Sequence, residues 1–284
     1  MYDYGTWLKS GACRMELFAL LLARSHIPAV VVQGGETPFM ISPSAALPRS
    51  PGMGTLLCCD IGHTRTGSDG VERSIPCIKD EIALVMLQML QKRREYFLGL
   101  RHFVHFRMWT ALVPSVMEGL PSDAIHALPH SVTEFVANYR FSGARDEENK
   151  GSGLTPLMLA GLSGNVDVVD KLISEHQVDV DSGLQINLYD LGAEKGATAL
   201  FLAAALCPQN SIHTIVVSLL RGGANPNVIT KHGTTPLMAA AMYQSLEGTR
   251  ALLTCGGLDL EKKLRANGAT ALSIASFTST TEII

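Results

Sequence analysis

Four short strings constrain the second half of this 284-residue chain. Thr155-Pro156-Leu157 and Thr235-Pro236-Leu237 are matched more loosely by Thr198-Ala199-Leu200 and Thr270-Ala271-Leu272. Each string begins two residues after a glycine: Gly153, Gly196, Gly233 and Gly268, separated by 43, 37 and 35 residues. The intervals are uneven, but their parts line up. From the glycine to the next apolar helical run (Val166, Ile212, Leu246) takes 13, 16 and 13 residues, and from there to Val178, Ala224 or Leu258 takes 12 each time. From that turn to the next glycine takes 18, 9 and 10 residues. A fixed core with insertions confined to two joints is a repeat whose loops have grown.

The residue types say what each unit builds. Thr155 and Thr235 stand where a helix N-cap belongs, with a hydroxyl for free backbone N–H groups. Pro156 and Pro236 follow at the first helical position, where the missing N–H costs nothing. Leu157 and Leu237 open an inward apolar face, and runs such as Ala203-Ala204-Ala205 and Ala239-Ala240-Ala241 admit a neighbouring helix closely. A second helix is expected over 166–173, 212–220 and 246–253, with apolar residues such as Val166, Val169 and Ile173 at helical spacing. The glycines of Gly222-Gly223-Ala224-Asn225-Pro226-Asn227 suit a left-handed C-cap.

This pattern resembles the ankyrin repeat, a turn plus two antiparallel helices with a T-P-L-H-x-A signature. The resemblance covers about residues 131–284. The signature histidine is replaced by Met158, Phe201, Met238 and Ser273, and Ala199 and Ala271 stand where proline is usual. Upstream, Ser131 and Glu134 form a capping-box pattern, so 122–152 reads as a divergent capping unit. The fourth unit stops at Thr281-Glu282-Ile283-Ile284, where its outer helix is due. Solenoids need a polar terminal unit, so either the chain is a fragment or its last unit frays or docks elsewhere.

The expected fold is therefore mostly α: an ankyrin-repeat solenoid over 122–284, preceded by a small α/β region (1–77) and a helical connector (78–121). In the first half, 16–26 reads as a helix, 28–35 as a strand entering a turn, 37–54 as a Pro- and Ser-rich loop, and 55–62 as a strand. A polar loop over 63–74 then leads to helices over about 78–98 and 101–117. Two short strands form no independently stable sheet.

Composition excludes several classes. Hydrophobic residues make up 46% and charged residues 17%, below the ~25% charged of ordinary soluble domains, which argues against wholesale disorder. The net charge of −3 is spread over both halves, leaving no basic field to collect nucleic acid. Arg24, His26 and Pro28 interrupt the apolar stretch 15–32 before the ~20 residues a membrane span requires. Six cysteines without a CxxC pair fit a reducing compartment, cytosol or nucleus.

Few residues of the first half suggest chemistry. Cys58, Cys59, His63 and Cys77 could ligate a metal or form a Cys/His nucleophile pair. Their spacing matches no standard zinc pattern, and adjacent cysteines in a strand point to opposite faces, so buried small residues are the expectation. His102 and His105 lie three apart on a helix without a nearby carboxylate. Gly34-Gly35 lacks the remainder of any phosphate-loop motif. Ser42-Pro43 and Ser50-Pro51 are candidate proline-directed phosphorylation sites in a flexible loop. The segment 92–109 interleaves Lys92, Arg93, Arg94, Arg101 and Arg107 with aromatics, the pattern of a calmodulin-target helix, but its apolar residues wrap all round, as in a buried connector.

The expected function is protein–protein interaction without catalysis, cofactor or metal, through fingers and inner helices. The segment 182–195 is about nine residues longer than its counterpart 228–232, and insertions of this kind map to one face, often the binding face. Its Leu184, Ile186, Leu188, Tyr189 and Leu191, with Lys231 and His232 of the neighbouring finger, are the candidate contacts for another protein. A self-packed loop would have the same composition. The insertion around Cys207-Pro208-Gln209-Asn210 lengthens an inter-helix turn. The alternatives are an enzyme whose catalytic part lies in 1–120, for which no nucleophile–base–orienter set assembles, and a calcium-responsive scaffold acting through 92–109.

Overall fold

A computed structural model describes residues 10–23, 29–31, 39–41, 47, 50–54, 56–121, 128–145 and 151–277. Ser42-Pro43, Gly34-Gly35 and the chain's last seven residues lie outside that set. The chain forms two compact units, residues 1–93 with 116–126, and residues 94–115 with 127–284.

In the first unit, helix α1 (Gly11–Leu22) buries Leu17, Phe18, Leu21 and Leu22, a one-sided helical stripe. It starts before the expected boundary, since nothing in Gly11–Arg14 breaks a helix. A short 3-10 turn, Pro51–Met53, packs against its start. Ser50 precedes that turn, and its hydroxyl lies 2.8 Å from the Val116 carbonyl and 2.7 Å from the Glu118 carbonyl, its one proton shared between them. Ser50 is only 4% exposed, so it drops out as a candidate phosphorylation site: a kinase cannot reach a hydroxyl sealed under two carbonyls. Strand β1 (Ala29–Val31) pairs antiparallel with β2 (Phe39–Ile41), Val30 opposite Met40, so the segment read as loop supplies the partner of the expected strand.

The strand expected over 55–62 is a helical turn, α2 (Leu57–Asp60). A short apolar run without alternation does not distinguish helix from strand. The expected polar loop 63–74 is a hairpin, β3 (Thr64–Thr66) with β4 (Glu72–Ser74), whose register sets Arg65 opposite Arg73. Gly70 takes the left-handed conformation its turn needs (φ 74°). Helix α3 (Lys79–Gly99) follows, burying Ile82, Ala83, Met86 and Leu90. Arg93 donates to the Ala23 carbonyl at 3.0 Å.

The end of α3 and helix α4 (Phe103–Val116) open the second unit. Met108, Trp109, Ala111 and Leu112 are buried. Helix α5 (Val132–Asn138) starts on Ser131, whose hydroxyl accepts from the Glu134 N–H as the capping box requires. Arg107 donates to the Tyr139 carbonyl at 2.9 Å and to that of Arg140, with its guanidinium 3.8 Å above the Phe141 ring. Arg94 donates to Thr110 at 3.0 Å. The basic-aromatic segment is thus spent on internal packing at Trp109, Phe106, Arg107 and Arg94.

Then come the repeats: inner helices α6 (Pro156–Leu162), α8 (Ala199–Leu206), α10 (Pro236–Met242) and α12 (Ala271–Phe277), and outer helices α7 (Val166–Ser174), α9 (Gln209–Arg221) and α11 (Leu246–Leu253). Each threonine of the four strings caps its inner helix, accepting from the N–H of Met158, Phe201, Met238 and Ser273 at 3.2–3.4 Å. Each preceding glycine has positive φ, 69°, 94°, 87° and 70° in chain order, a conformation costly for residues with a Cβ. That is why glycine recurs there. Leu157, Leu200 and Leu237 are buried, whereas Leu272 is 61% exposed. In α7 the buried stripe is Val168, Val169 and Leu172, not Val166 and Ile173. The insertion at Cys207–Asn210 does not lengthen a turn; Pro208 precedes α9, which begins at Gln209.

Candidate functional site

Two hydrogen-bond systems hold the array in register. On the outer side, Asp179, Asn225 and Asp259 each accept from the N–H two residues on, at 3.1, 2.9 and 3.1 Å. These are the side-chain turns that Asp and Asn favour. Adjacent turns are linked, Asn225 N–H to Asp181 and Asp259 N–H to Asn227. On the finger side, Gln185 N–H donates to Ser152, Lys231 N–H to Lys195 and Arg265 N–H to His232, at 2.8–3.0 Å between backbone atoms. The fingers form a ladder, and the long segment 182–195 is one of its rungs.

Leu184 exchanges backbone bonds with Gly196 and Ala197 at the base of that finger. Leu188 and Ala193 pair farther out, closed by a 3-10 turn, Tyr189–Leu191, and Gly192 at φ 61°. Leu184, Leu188 and Leu191 are buried, so they hold the finger and cannot touch a partner. Tyr243 O–H donates to the Leu191 carbonyl. Asn187 accepts from the Lys195 N–H at 2.9 Å. What projects is Ile186, 37% exposed, and Tyr189, 80% exposed. The segment therefore divides between the two sequence readings: three leucines pack, and the tyrosine and isoleucine face outward.

Lys231 and His232 are exposed on the next finger. His232 Nδ1 lies 2.9 Å from Glu194 Oε1, and Thr230 donates to Glu194 Oε2 at 2.7 Å. Burial pushes the Glu194 carboxyl up, but the bonds from His232 and Thr230 outweigh it, and the group titrates below its ordinary range. A carboxylate with a depressed folded pKa stabilises the fold above its unfolded value of ~4.3, and that contribution is lost as pH falls below it. Glu194→Gln is accordingly expected to lower the melting temperature at pH 7, with the gap from the natural chain closing below about pH 4. A pH series of melting curves for both proteins checks this. Sequence reasoning missed Glu194; a lone glutamate in a loop carries no signal until the neighbouring finger is set beside it.

Elsewhere, His102 and His105 stack on Phe97, with centroids 6.4 and 4.7 Å away, and act as aromatic packing. Cys58, Cys59, His63 and Cys77 are brought together: their ligand atoms all lie within 4.8 Å of one another. Only Cys58 of the four is buried and Cys59 is exposed, which corrects the expectation of buried small residues. Among the described residues no helix is long and apolar enough to cross a membrane.

Comparison with known proteins bears on the capped strings and the finger ladder. Residues 152–183 match the model of the ankyrin repeat, and residues 202–284 match that of three tandem ankyrin repeats. The C-terminal part of the chain is an array of ankyrin repeats. Human B-cell lymphoma 3 protein is 31% identical over 135 residues, 46% of this chain and 27% of that protein. Zinc finger CCCH domain-containing proteins 66 and 56 of Arabidopsis thaliana are 40% and 35% identical over 82 and 99 residues, 29% and 35% of this chain. Those two matches span only 12% and 13% of the relatives' own lengths. Ankyrin repeats are binding modules with no catalytic role of their own, and they present extended surfaces to partners. The departures at Met158, Phe201 and Met238 leave the caps and the stacking intact, because the threonine hydroxyl and the buried leucine carry both.

Proposed function

We propose that this chain is a protein-interaction adaptor whose ankyrin array binds another protein through its fingers, with Tyr189 as the principal contact. The observation that carries this is an 80% exposed tyrosine on a finger held rigid from beneath. Leu188 and Leu191 anchor the turn on either side of it, and the Tyr243 hydroxyl fixes its carbonyl end. An exposed aromatic ring on a preorganised turn loses little conformational entropy on binding, and tyrosine is enriched among residues that dominate interface energies. Ile186, Lys231 and His232 supply an apolar and a polar border. The match of residues 152–183 and 202–284 to ankyrin-repeat models supports a binding role.

Deleting the insertion is a poor test, since its three leucines hold the ladder. Tyr189→Ala is a clean one. Affinity capture from a native cell extract would use the natural chain and the variant as baits. A partner retained by the first is expected to be lost by the second, with affinity lower by roughly 30-fold, the equivalent of a 2 kcal/mol hot spot. The melting temperature should move by less than about 1 °C, because the ring makes no buried contact. Equal capture by both chains would place binding elsewhere.

A further inference from the structure

The hairpin β3–β4 lacks an ordinary reason to be ordered. Five of its six strand residues are exposed, and a two-stranded hairpin is marginal in water by itself. Its cross-strand pairs include Arg65 opposite Arg73, like charges that oppose pairing. The Asp69–Arg73 ion pair at its tip is solvent-exposed and worth little. Something at its base must hold it.

At the base stand four metal-ligating side chains, three thiols and an imidazole. Helix α2 supplies Cys58 and Cys59. The chain then reverses through two consecutive left-handed residues, Gly62 (φ 68°) and His63 (φ 57°). That reversal returns the His63 N–H to the Cys58 carbonyl at 2.8 Å. The hairpin runs out and back, and the Ile75 N–H meets the His63 carbonyl at 2.8 Å, which delivers Cys77 beside the others just before α3. A positive φ in a residue with a Cβ is costly, and at His63 it is what turns the imidazole toward the sulfurs. Cys59 Sγ lies 3.9 Å from Cys58 Sγ and 4.0 Å from Cys77 Sγ. A disulfide needs about 2.05 Å. Two thiolates on one tetrahedral zinc, at Zn–S of about 2.3 Å, stand about 3.8 Å apart. The His63 Nε2 atom is buried with no hydrogen-bond partner among the described residues.

We propose that Cys58, Cys59, His63 and Cys77 form a structural zinc site that pins the hairpin to α2 and to the start of α3. Three thiolates and one imidazole are a closed donor set with no open position, which is the composition of structural rather than catalytic zinc. Each thiol releases its proton to solvent as the cation binds. The zinc closes the loop from Cys58 to Cys77 and supplies the folding energy that the hairpin's exposed faces do not. Adjacent cysteines can share one ion here because they lie on a helical turn, not on the strand where their side chains would diverge.

The test is the metal content of the full chain purified with a thiol reductant. One zinc per chain is expected. Replacement by cobalt(II) should give visible d–d absorption of a tetrahedral site with thiolate charge-transfer bands, and X-ray absorption of the zinc form should show three sulfur and one nitrogen neighbours. Cys77→Ser and His63→Ala should each retain at least about tenfold less zinc against a competing chelator, and Cys255→Ser should retain it all. Reduced natural chain that takes up neither zinc nor cobalt overturns the proposal whether or not the variants fold. So does equal metal loss in Cys255→Ser, or a Cys59–Cys77 disulfide whose reduced form binds no metal.

Discussion

Gly248→Ala is expected to destabilise the ankyrin array by about 3 kcal/mol, the upper part of the range for overpacking a close contact. Two effects oppose each other at this position. Gly248 lies in the first turn of α11, where alanine is the better helix former by about 1 kcal/mol, so local propensity alone forecasts a gain. Packing forecasts a loss. A Cβ built on Gly248 would stand 2.0 Å from the Ala204 carbonyl oxygen and 2.6 Å from Ser245 Oγ. The first is backbone of α8 and cannot rotate away, so α11 must move out by more than an ångström. The second is the cap of α11 itself, bonded to the Gly248 N–H at 3.3 Å, and displacing it forfeits up to about 1 kcal/mol more. Gly256→Ala, with nothing within 4 Å of the added carbon, should change stability by less than about 0.5 kcal/mol. Urea midpoints of the three proteins decide the sign. A stabilised Gly248→Ala would mean that α8 and α11 do not approach as closely as described.

This contact also shows where the sequence was legible. The small residues Ala203-Ala204-Ala205 announce that a helix comes near, but not that its partner is a glycine 44 positions on, because nothing local pairs them. Caps and turn glycines are different: Thr155, Thr198, Thr235 and Thr270 act within three residues, so their chemistry can be read in place. Repetition then extends a local signal along the array. The first half has no such repetition. Its long helices α1, α3 and α4 were legible, but β1 to β4 and α2 are three or four residues long, below the length at which hydrophobic period separates helix from strand. The hairpin was hidden because its strands are polar on both sides, and the cysteine cluster because its spacing depends on that hairpin and on α2 being helical. In the finger, the apolar composition of 182–195 pointed to the right segment. It could not separate Leu188 from Tyr189, which differ only in which way a clamped turn directs them.

Leu200→Ala is expected to cost the array about 3–4 kcal/mol, and Leu272→Ala less than about 0.5 kcal/mol, although both leucines hold the same place in the repeated string. Leu200 is fully buried on α8, which packs against α6 on one side and α10 on the other. Truncation there removes apolar contact with two neighbours and leaves a cavity between helices whose alanines are already in close approach. Leu272 is 61% exposed on α12, at the end of the described array, and its truncation opens no cavity. The two variants also differ in kind. Repeat arrays are stabilised by nearest-neighbour interfaces, so weakening both interfaces of α8 uncouples the units on either side. Leu200→Ala should therefore broaden the urea transition, with a lower m-value, as well as shift it. A shift without broadening would mean that α8 transmits no coupling, and that the array unfolds from its ends whatever happens at its centre.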